Sequence, residues 1–432
     1  MRFAIRHALA IACSAILLAS CGGGSSSGDG GGGGGGGGGD GSGTAGPGGR
    51  GPAPTPTGAG VTLHVSKGGK DANDCSQASP CLTIQRAADA AAVAGSVVLV
   101  EDGDYAGFCS VHDGITFFGN GDHVRVTSEL DGADCNQRGR VGINIEGNDE
   151  VVVAGFAVVG MQYSGIRAVT DRGVVIRHNC IESNGQSGRA SGILTGFAMQ
   201  VQVLYNETFG NTEHGIYVSN SDAPDDRPVI RGNDSHDNDA NGIQINGDCF
   251  TESDSGTDGK VEDATVDANH VHGNAYKGLS MISAPGVLIS NNLIHDNGPA
   301  AGGVHLVNEP DCPASDSTIG AVVVNNTIVE SSMAAIRVNE DATGAVIFNN
   351  ILVSDRPVAI DSGDPAPAVS ASNVQVGSTG GLFASGYELA ATSPARDAGE
   401  ASYQGKPAPA KDFAGAARPK GAAHDAGAYE SF

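Results

Sequence analysis

Short runs of alternating apolar and polar residues recur along most of this chain, each ending in an asparagine followed by a polar turn and a glycine. Val201-Gln202-Val203-Leu204-Tyr205-Asn206 is one copy and Val322-Val323-Val324-Asn325-Asn326 another. Alternation with period two marks a strand with one buried face. The asparagines Asn179, Asn206, Asn233, Asn269, Asn292, Asn326 and Asn350 are separated by 27, 27, 36, 23, 34 and 24 residues, the spacing of a coiled stack rather than of separate domains. A second strand in each copy starts at a small residue: Gly165-Ile166, Gly192-Ile193, Gly215-Ile216, Gly242-Ile243, Gly278-Leu279, Gly303-Val304 and Ala335-Ile336. Together the two runs predict an all-β solenoid of short parallel strands in three columns closed into a prism. An antiparallel sandwich would need hairpin turns and not a recurring corner amide. Identical amides stacked at the ~4.8 Å strand spacing can bond one another and the turn backbone, so these asparagines are expected to be structural. Upstream, Ile84 to Ala92 places Ile84, Ala87, Ala88 and Ala91 on one helical face, which predicts a short N-terminal capping helix over the open end of the stack.

Alternate positions counted from the Gly markers point outward. One outward column runs Arg167, Leu194, Tyr217, Gln244, Ser280, His305, Arg337; the column before the marker runs Ser164, Ser191, His214, Asn241, Lys277, Gly302, Ala334. His214, Asn241 and Lys277 thus line up beside Tyr217, Gln244, Ser280 and His305, the one partly cationic strip on an otherwise acidic chain. The excursions 220–228, 247–263 and 308–319 that follow this strand are long and acidic, as the walls of a groove would be.

The ends of the chain add a second layer. Residues 1–20 carry Arg2 and Arg6, then an apolar run closing on Leu18-Ala19-Ser20 before Cys21, the form of a secretory signal. The Leu-Ala-Ser-Cys ending resembles the lipobox of bacterial lipoproteins, which implies lipidation of Cys21 and a body tethered to the outer membrane or cell surface only through that lipid. Residues 21–60, mostly Gly with Ser and Pro, read as a flexible tether, and 61–432 as one domain with an N-terminal cap and a closing C-terminal segment. A formal charge of -25 without a Lys/Arg cluster excludes nucleic acid and anionic lipid surfaces as natural partners. Export favours disulfides: Cys75–Cys81, Cys109–Cys135 and Cys249–Cys312 are the expected pairs, leaving Cys180 unpaired. The His and Cys spacings form no tight cluster for structural zinc.

Leu63-His64-Val65-Ser66-Lys67-Gly68-Gly69-Lys70-Asp71, continuing through Ser79-Pro80-Cys81-Leu82-Thr83-Ile84-Gln85-Arg86-Ala87, resembles the opening of right-handed parallel β-helix proteins related to pectate lyases. Ser393 to Gly399 and Asp425-Ala426-Gly427-Ala428-Tyr429-Glu430 resemble the close of bacterial surface members of that group. The resemblance covers nearly all of 61–432 and implies a right-handed helix that binds polysaccharide, as a monomer. The superfamily contains lyases, hydrolases, epimerases and non-catalytic surface proteins, so fold alone does not choose among them.

Cleavage of a uronic-acid-containing glycan by β-elimination needs a base for the C5 proton and positive charge beside the carboxylate. Lys277 is the first base candidate and His214 or His305 the second. Arg337, or Ca²⁺ on the acidic loops, would supply counter-charge, and Tyr217 would protonate the leaving oxygen. Asn241, Gln244, Ser280 and Arg167 are candidate substrate contacts, and Asp237 and Asp239 a weaker pair of metal ligands. The calcium-dependent lyases show Asp-Asp-Gly-x-Asp on the groove strand, where this chain has Asn241-Gly242-Ile243-Gln244. No outward strand position in these columns is Asp or Glu, so two-carboxylate hydrolysis ranks lower, and within 61–432 no Gly-x-Ser-x-Gly elbow supports a nucleophilic serine. A non-catalytic surface adhesin or matrix protein is the alternative function.

Overall fold

The computed structural model describes residues 58–431 except 131–139, 187–189, 220–225, 250–257, 299–301, 310–311, 314–315, 331–333, 340, 356–359 and 363–367, together with 53, 55 and 56. Within it three ladders of parallel strands run the length of the body. The first ladder holds the strands before the marker asparagines, among them Val175–Arg177, Gln202–Leu204, Val229–Arg231 and Thr265–Asp267. The second holds those after them, among them Cys180–Glu182, Glu207–Phe209, Asp234–His236, His270–His272 and Leu293–His295. The third begins at the small-residue markers, from Phe108–Cys109 through Ile216–Ser219, Ile243–Asn246, Leu279–Ile282 and Val304–Val307 to Ile360–Ser362.

Each coil turns its corners with one left-handed residue. The residue before the marker asparagine has positive φ in successive coils, as at His178, Tyr205, Gly232, Ala268, Asn291 and Asn325. This single residue breaks the strand, and the asparagine that follows ties the corner to the next coil. The Asn233 side chain accepts from the backbone N–H and the side-chain amide of Asn206 (2.9 and 3.0 Å) and donates to Asn269 Oδ1 and Val203 O (2.9 and 2.8 Å). The same bonds continue to Asn373. All these amides except Asn373 are fully buried, so the ladder meets their hydrogen-bonding needs without water.

A second amide ladder, not anticipated from the sequence, lies at the next corner. Asn184, Asn211, Asn238, Asn274 and Asn297 each donate to the next in line, and Asn297 donates to Glu330 Oε1 at 3.0 Å. The residue before each is again left-handed: Ser183, Gly210, Asp237, Gly273 and Asp296. The small markers follow from this ladder. A Cβ on Gly242 would lie 2.3 Å from Val271 Cγ1 and 2.8 Å from the Asn274 amide nitrogen, so the third-ladder strand starts where only glycine clears the corner.

Inside the prism, identical positions stack in register. Ile166, Ile193, Ile216, Ile243 and Leu279 form one fully buried column, each side chain contributing ~1.5–3 kcal/mol by leaving water. Helix Ile84–Ala90 buries Ile84, Ala87 and Ala88 against the first coils, its start capped by Thr83 Oγ1 accepting from the Arg86 N–H; it ends sooner than the apolar face suggested, with Ala91 buried beyond it. Among the described residues no helix is long and apolar enough to cross a membrane.

Cys75–Cys81 and Cys249–Cys312 are disulfides, as expected. Cys109 is also disulfide-bonded, while its expected partner Cys135, like Cys21, lies outside the described residues. Cys180 is disulfide-bonded too and not unpaired: its side chain lies on the outer face of its coil beside Ala157 and Phe209 and not in the core of the prism, a placement that intervals between repeats do not reveal. The C-terminal segment folds back along the first and second ladders. Asn325 donates to Asp425 O at 2.9 Å, and Arg418, fully enclosed with Glu430, donates to Asn291 Oδ1 at 3.2 Å.

Candidate functional site

The third-ladder register reproduces the outward column: Arg167 pairs with Leu194, then Tyr217, Gln244, Ser280, His305 and Arg337 in successive coils. At ~4.8 Å per coil, Tyr217 and His305 are three coils, ~14 Å, apart and cannot act on one reacting atom, so the strip divides into two adjoining groups.

The first group is His214, Tyr217, Asn241 and Gln244. The Asn241 backbone N–H donates to His214 Nδ1 at 3.1 Å, which leaves the ring proton of a neutral His214 on Nε2. The rings of His214 and Tyr217 stack with centroids 5.3 Å apart. Asn241 Nδ2 donates to Gln244 Oε1, and Gln244 Nε2 to Asn246 Oδ1 at 3.1 Å. Burial pushes the Tyr217 phenol up to about 12, with Glu213, Glu309 and Asp248 adding to the shift, so it stays protonated at neutral pH. Burial, then Asp248, raises the Glu309 carboxyl, against a hydrogen bond from Asn246. Disulfide Cys249–Cys312 joins the excursions that carry Asp248 and Glu309.

The second group is Lys277, Ser280, His305 and Arg337. The Lys277 N–H donates to Asn241 Oδ1 at 2.9 Å and its Nζ to Ser280 Oγ at 3.4 Å. Burial, then Arg337, lowers the Lys277 ammonium. Burial, then Lys277, brings His305 down to about 4, with Arg337 adding and Asn339 opposing. His305 is therefore neutral at pH 7. Among the described residues neither buried ring nitrogen has an aligned hydrogen bond, although Asn339, whose Oδ1 is likewise without one, lies close enough to favour the protonated ring. A buried polar ring without aligned hydrogen bonds is costly unless a ligand completes it. Beside the group Tyr276 is 57% exposed, a large aromatic that sequence reasoning passed over although it directly precedes Lys277.

Arg167 lies away from both groups, buried, its Nη1 donating to Asn144 Oδ1 at 2.8 Å and to Glu146 Oε2 at 2.6 Å. Asp237 occupies a left-handed corner and accepts at 2.9 Å from His236 Nδ1. The described residues contain one group of metal-capable side chains close enough to share an ion, Asp234, His270 and His272, and neither Asp237 nor Asp239 belongs to it. Sequence spacing missed this group because the coils it bridges lie 36 residues apart. The signal was nonetheless present, since His236, His272 and His295 each stand three residues after their marker asparagine.

The family description "Right handed beta helix region" matches residues 113–257 and 250–376. No match is found among curated proteins. Among solved structures, pectate lyase Pel9A is 14% identical with a TM-score of 0.52, over 86% of this chain and 96% of that one. The mannuronan C-5 epimerase AlgE4 A-module of Azotobacter vinelandii is 19% identical with a TM-score of 0.46, over 67% of this chain and 94% of that one. For the Dettilon tailspike protein (gp208) the values are 14% and 0.42, over 74% of this chain; this chain spans only 60% of the tailspike's length.

Proposed function

The chain belongs to the right-handed β-helix family, and from that premise we propose that its third-ladder strip binds an acidic polysaccharide and cleaves it by β-elimination at the Lys277–His305–Arg337 group. The observation that carries this reading is His305, buried and neutral, neither ring nitrogen in an aligned hydrogen bond among the described residues, and under the field of Lys277 and Arg337. A uronate carboxylate seated against Arg337 and Lys277 would satisfy both charges and raise His305 toward the neutral range, where a base works best. His305 then takes the C5 proton as the C4–O bond breaks and the C4–C5 double bond forms, and the Lys277 ammonium gives its proton to the departing oxygen. Tyr276 offers an aromatic face for a neighbouring sugar. Tyr217 and His214, two to three coils away, serve a further sugar subsite and not the leaving oxygen. Asp248 and Glu309 line the wall where Ca²⁺ would add counter-charge.

The remaining parts of the reading are a signal at 1–20, lipidation at Cys21, a tether to about residue 60, a capping role for helix Ile84–Ala90, and a monomer displayed at the outer membrane or cell surface. Kinetics on uronate polymers test the centre. Arg337→Ala should raise KM and lower kcat, and His305→Ala should lower kcat by roughly 10²-fold or more with binding retained. Retained glycan binding with no cleavage by the wild-type chain would favour a surface adhesin; unchanged turnover in both variants would remove this group from the chemistry.

A further inference from the structure

The second-ladder face carries a different constellation, independent of the glycan strip. Its outward columns are Glu207, Asp234, His270, Leu293 and Phe209, His236, His272, His295. The rings of the second column stack, His236 on His272 at 4.9 Å and His272 on His295 at 5.0 Å, nearly parallel. Phe209 closes one end, and Tyr387 of the folded-back C-terminal segment closes the other at 4.8 Å from His295.

Asp234 Oδ1 lies 3.4 Å from His270 Nδ1 and 3.2 Å from His272 Nε2, and although it is buried it has no well-aligned hydrogen bond among the described residues. A tetrahedral ion with bonds of about 2.0–2.1 Å holds its donor atoms ~3.3 Å apart. The two measured separations already match. The protons point the same way. Asp296 Oδ2, 2.8 Å from His295 Nδ1, keeps a proton on that nitrogen, so His295 Nε2 is an acceptor. His270 Nε2, 2.8 Å from it, is then the donor, and in a neutral His270 the Nδ1 lone pair faces the Asp234 carboxylate. A cation relieves that repulsion, either a metal ion or a proton on His270 Nδ1, and titration with metal tells the two apart. The Asp296–His295–His270 chain is the kind of outer hydrogen bonding that orients a metal-bound imidazole.

We propose that Asp234 Oδ1, His270 Nδ1 and His272 Nε2 bind one Zn²⁺-class divalent ion, with the fourth position open to water or a ligand. Two imidazoles and one carboxylate suit zinc, cobalt or nickel; calcium takes six to eight oxygens. The neighbouring His236 stays outside the site, held by Asp237 Oδ2 at 2.9 Å and Glu207 Oε1 at 3.5 Å.

The test is titration of the metal-free full chain with Co²⁺, read by its visible spectrum, followed by displacement with Zn²⁺. The expected result is one equivalent of cobalt with the intense bands of four-coordination, displaced by Zn²⁺ and untouched by Ca²⁺. His272→Ala and Asp234→Asn should abolish the bands with circular dichroism unchanged, Asp296→Asn should weaken binding roughly 10-fold or more, and Lys277→Ala should leave it intact. Absence of the bands in the wild-type chain, displacement by Ca²⁺, or equal binding by His272→Ala and Asp234→Asn would overturn the site. A variant that loses its circular dichroism leaves Asp296→Asn as the deciding substitution, and undiminished affinity there would overturn the orienting chain.

Discussion

A corner amide such as Asn233 does four things at once: it accepts from two groups of the coil before it and donates to a carbonyl and to the next amide. Replacing it with alanine orphans buried partners on both sides, each worth ~1–3 kcal/mol. Asn233→Ala should therefore destabilise the protein by about 3 kcal/mol or more in a denaturant titration. Glu330 ends the second amide ladder, and burial raises its carboxyl to about 7 despite the hydrogen bond from Asn297. Because the folded value exceeds the ordinary 4.5, its contribution is fully present below about 4.5 and is lost as pH rises through about 7. Glu330→Gln keeps the acceptor without the charge. It should raise the melting temperature at pH 8, by an amount worth at most ~3 kcal/mol, and change little at pH 4; an equal effect at both pH values would contradict the assignment.

Strand and corner are set by different residues. The marker asparagines, the alternating strands and the third-ladder register were legible in the sequence because each follows from period two and a fixed offset from a marker. The second amide ladder was legible in principle, since Asn179 and Asn184, Asn206 and Asn211, and Asn233 and Asn238 share one five-residue spacing. The marker glycines make room for it. Gly242→Ala forces Val271 or the Asn274 amide aside, and the cost expected from overpacking is ~1–3 kcal/mol, seen as a lower denaturation midpoint with the spectrum of the native strands retained. What stayed hidden was proximity across coils of unequal length: Asp234 and His270 are 36 residues apart yet adjacent in register, and Tyr387 reaches His295 only because the C-terminal segment returns along the stack.

At the scale of the whole molecule, a prism of stacked coils carries two chemically distinct faces on an acidic body. The third-ladder strip gathers Lys277, Arg337 and a buried, neutral His305; the second-ladder face gathers histidines with Asp234. Of the site residues expected from the sequence, the fold sets Lys277, Ser280, His305 and Arg337 side by side, places His214, Tyr217, Asn241 and Gln244 on the adjoining coils with Asn241 accepting from the Lys277 N–H, and commits Arg167 to Asn144 and Glu146. Outward columns could be counted from the markers, but the distance along the stack that divides them needs the coil order. The central claim is that the strip cleaves uronate polymers by elimination. The most direct measurement is the ultraviolet absorbance of unsaturated uronate ends, followed as the full chain acts on pectate, alginate and glycosaminoglycans with and without Ca²⁺. A rise on one of these polymers, lost in His305→Ala, is the expected result; a flat trace across all of them from the folded protein would contradict it.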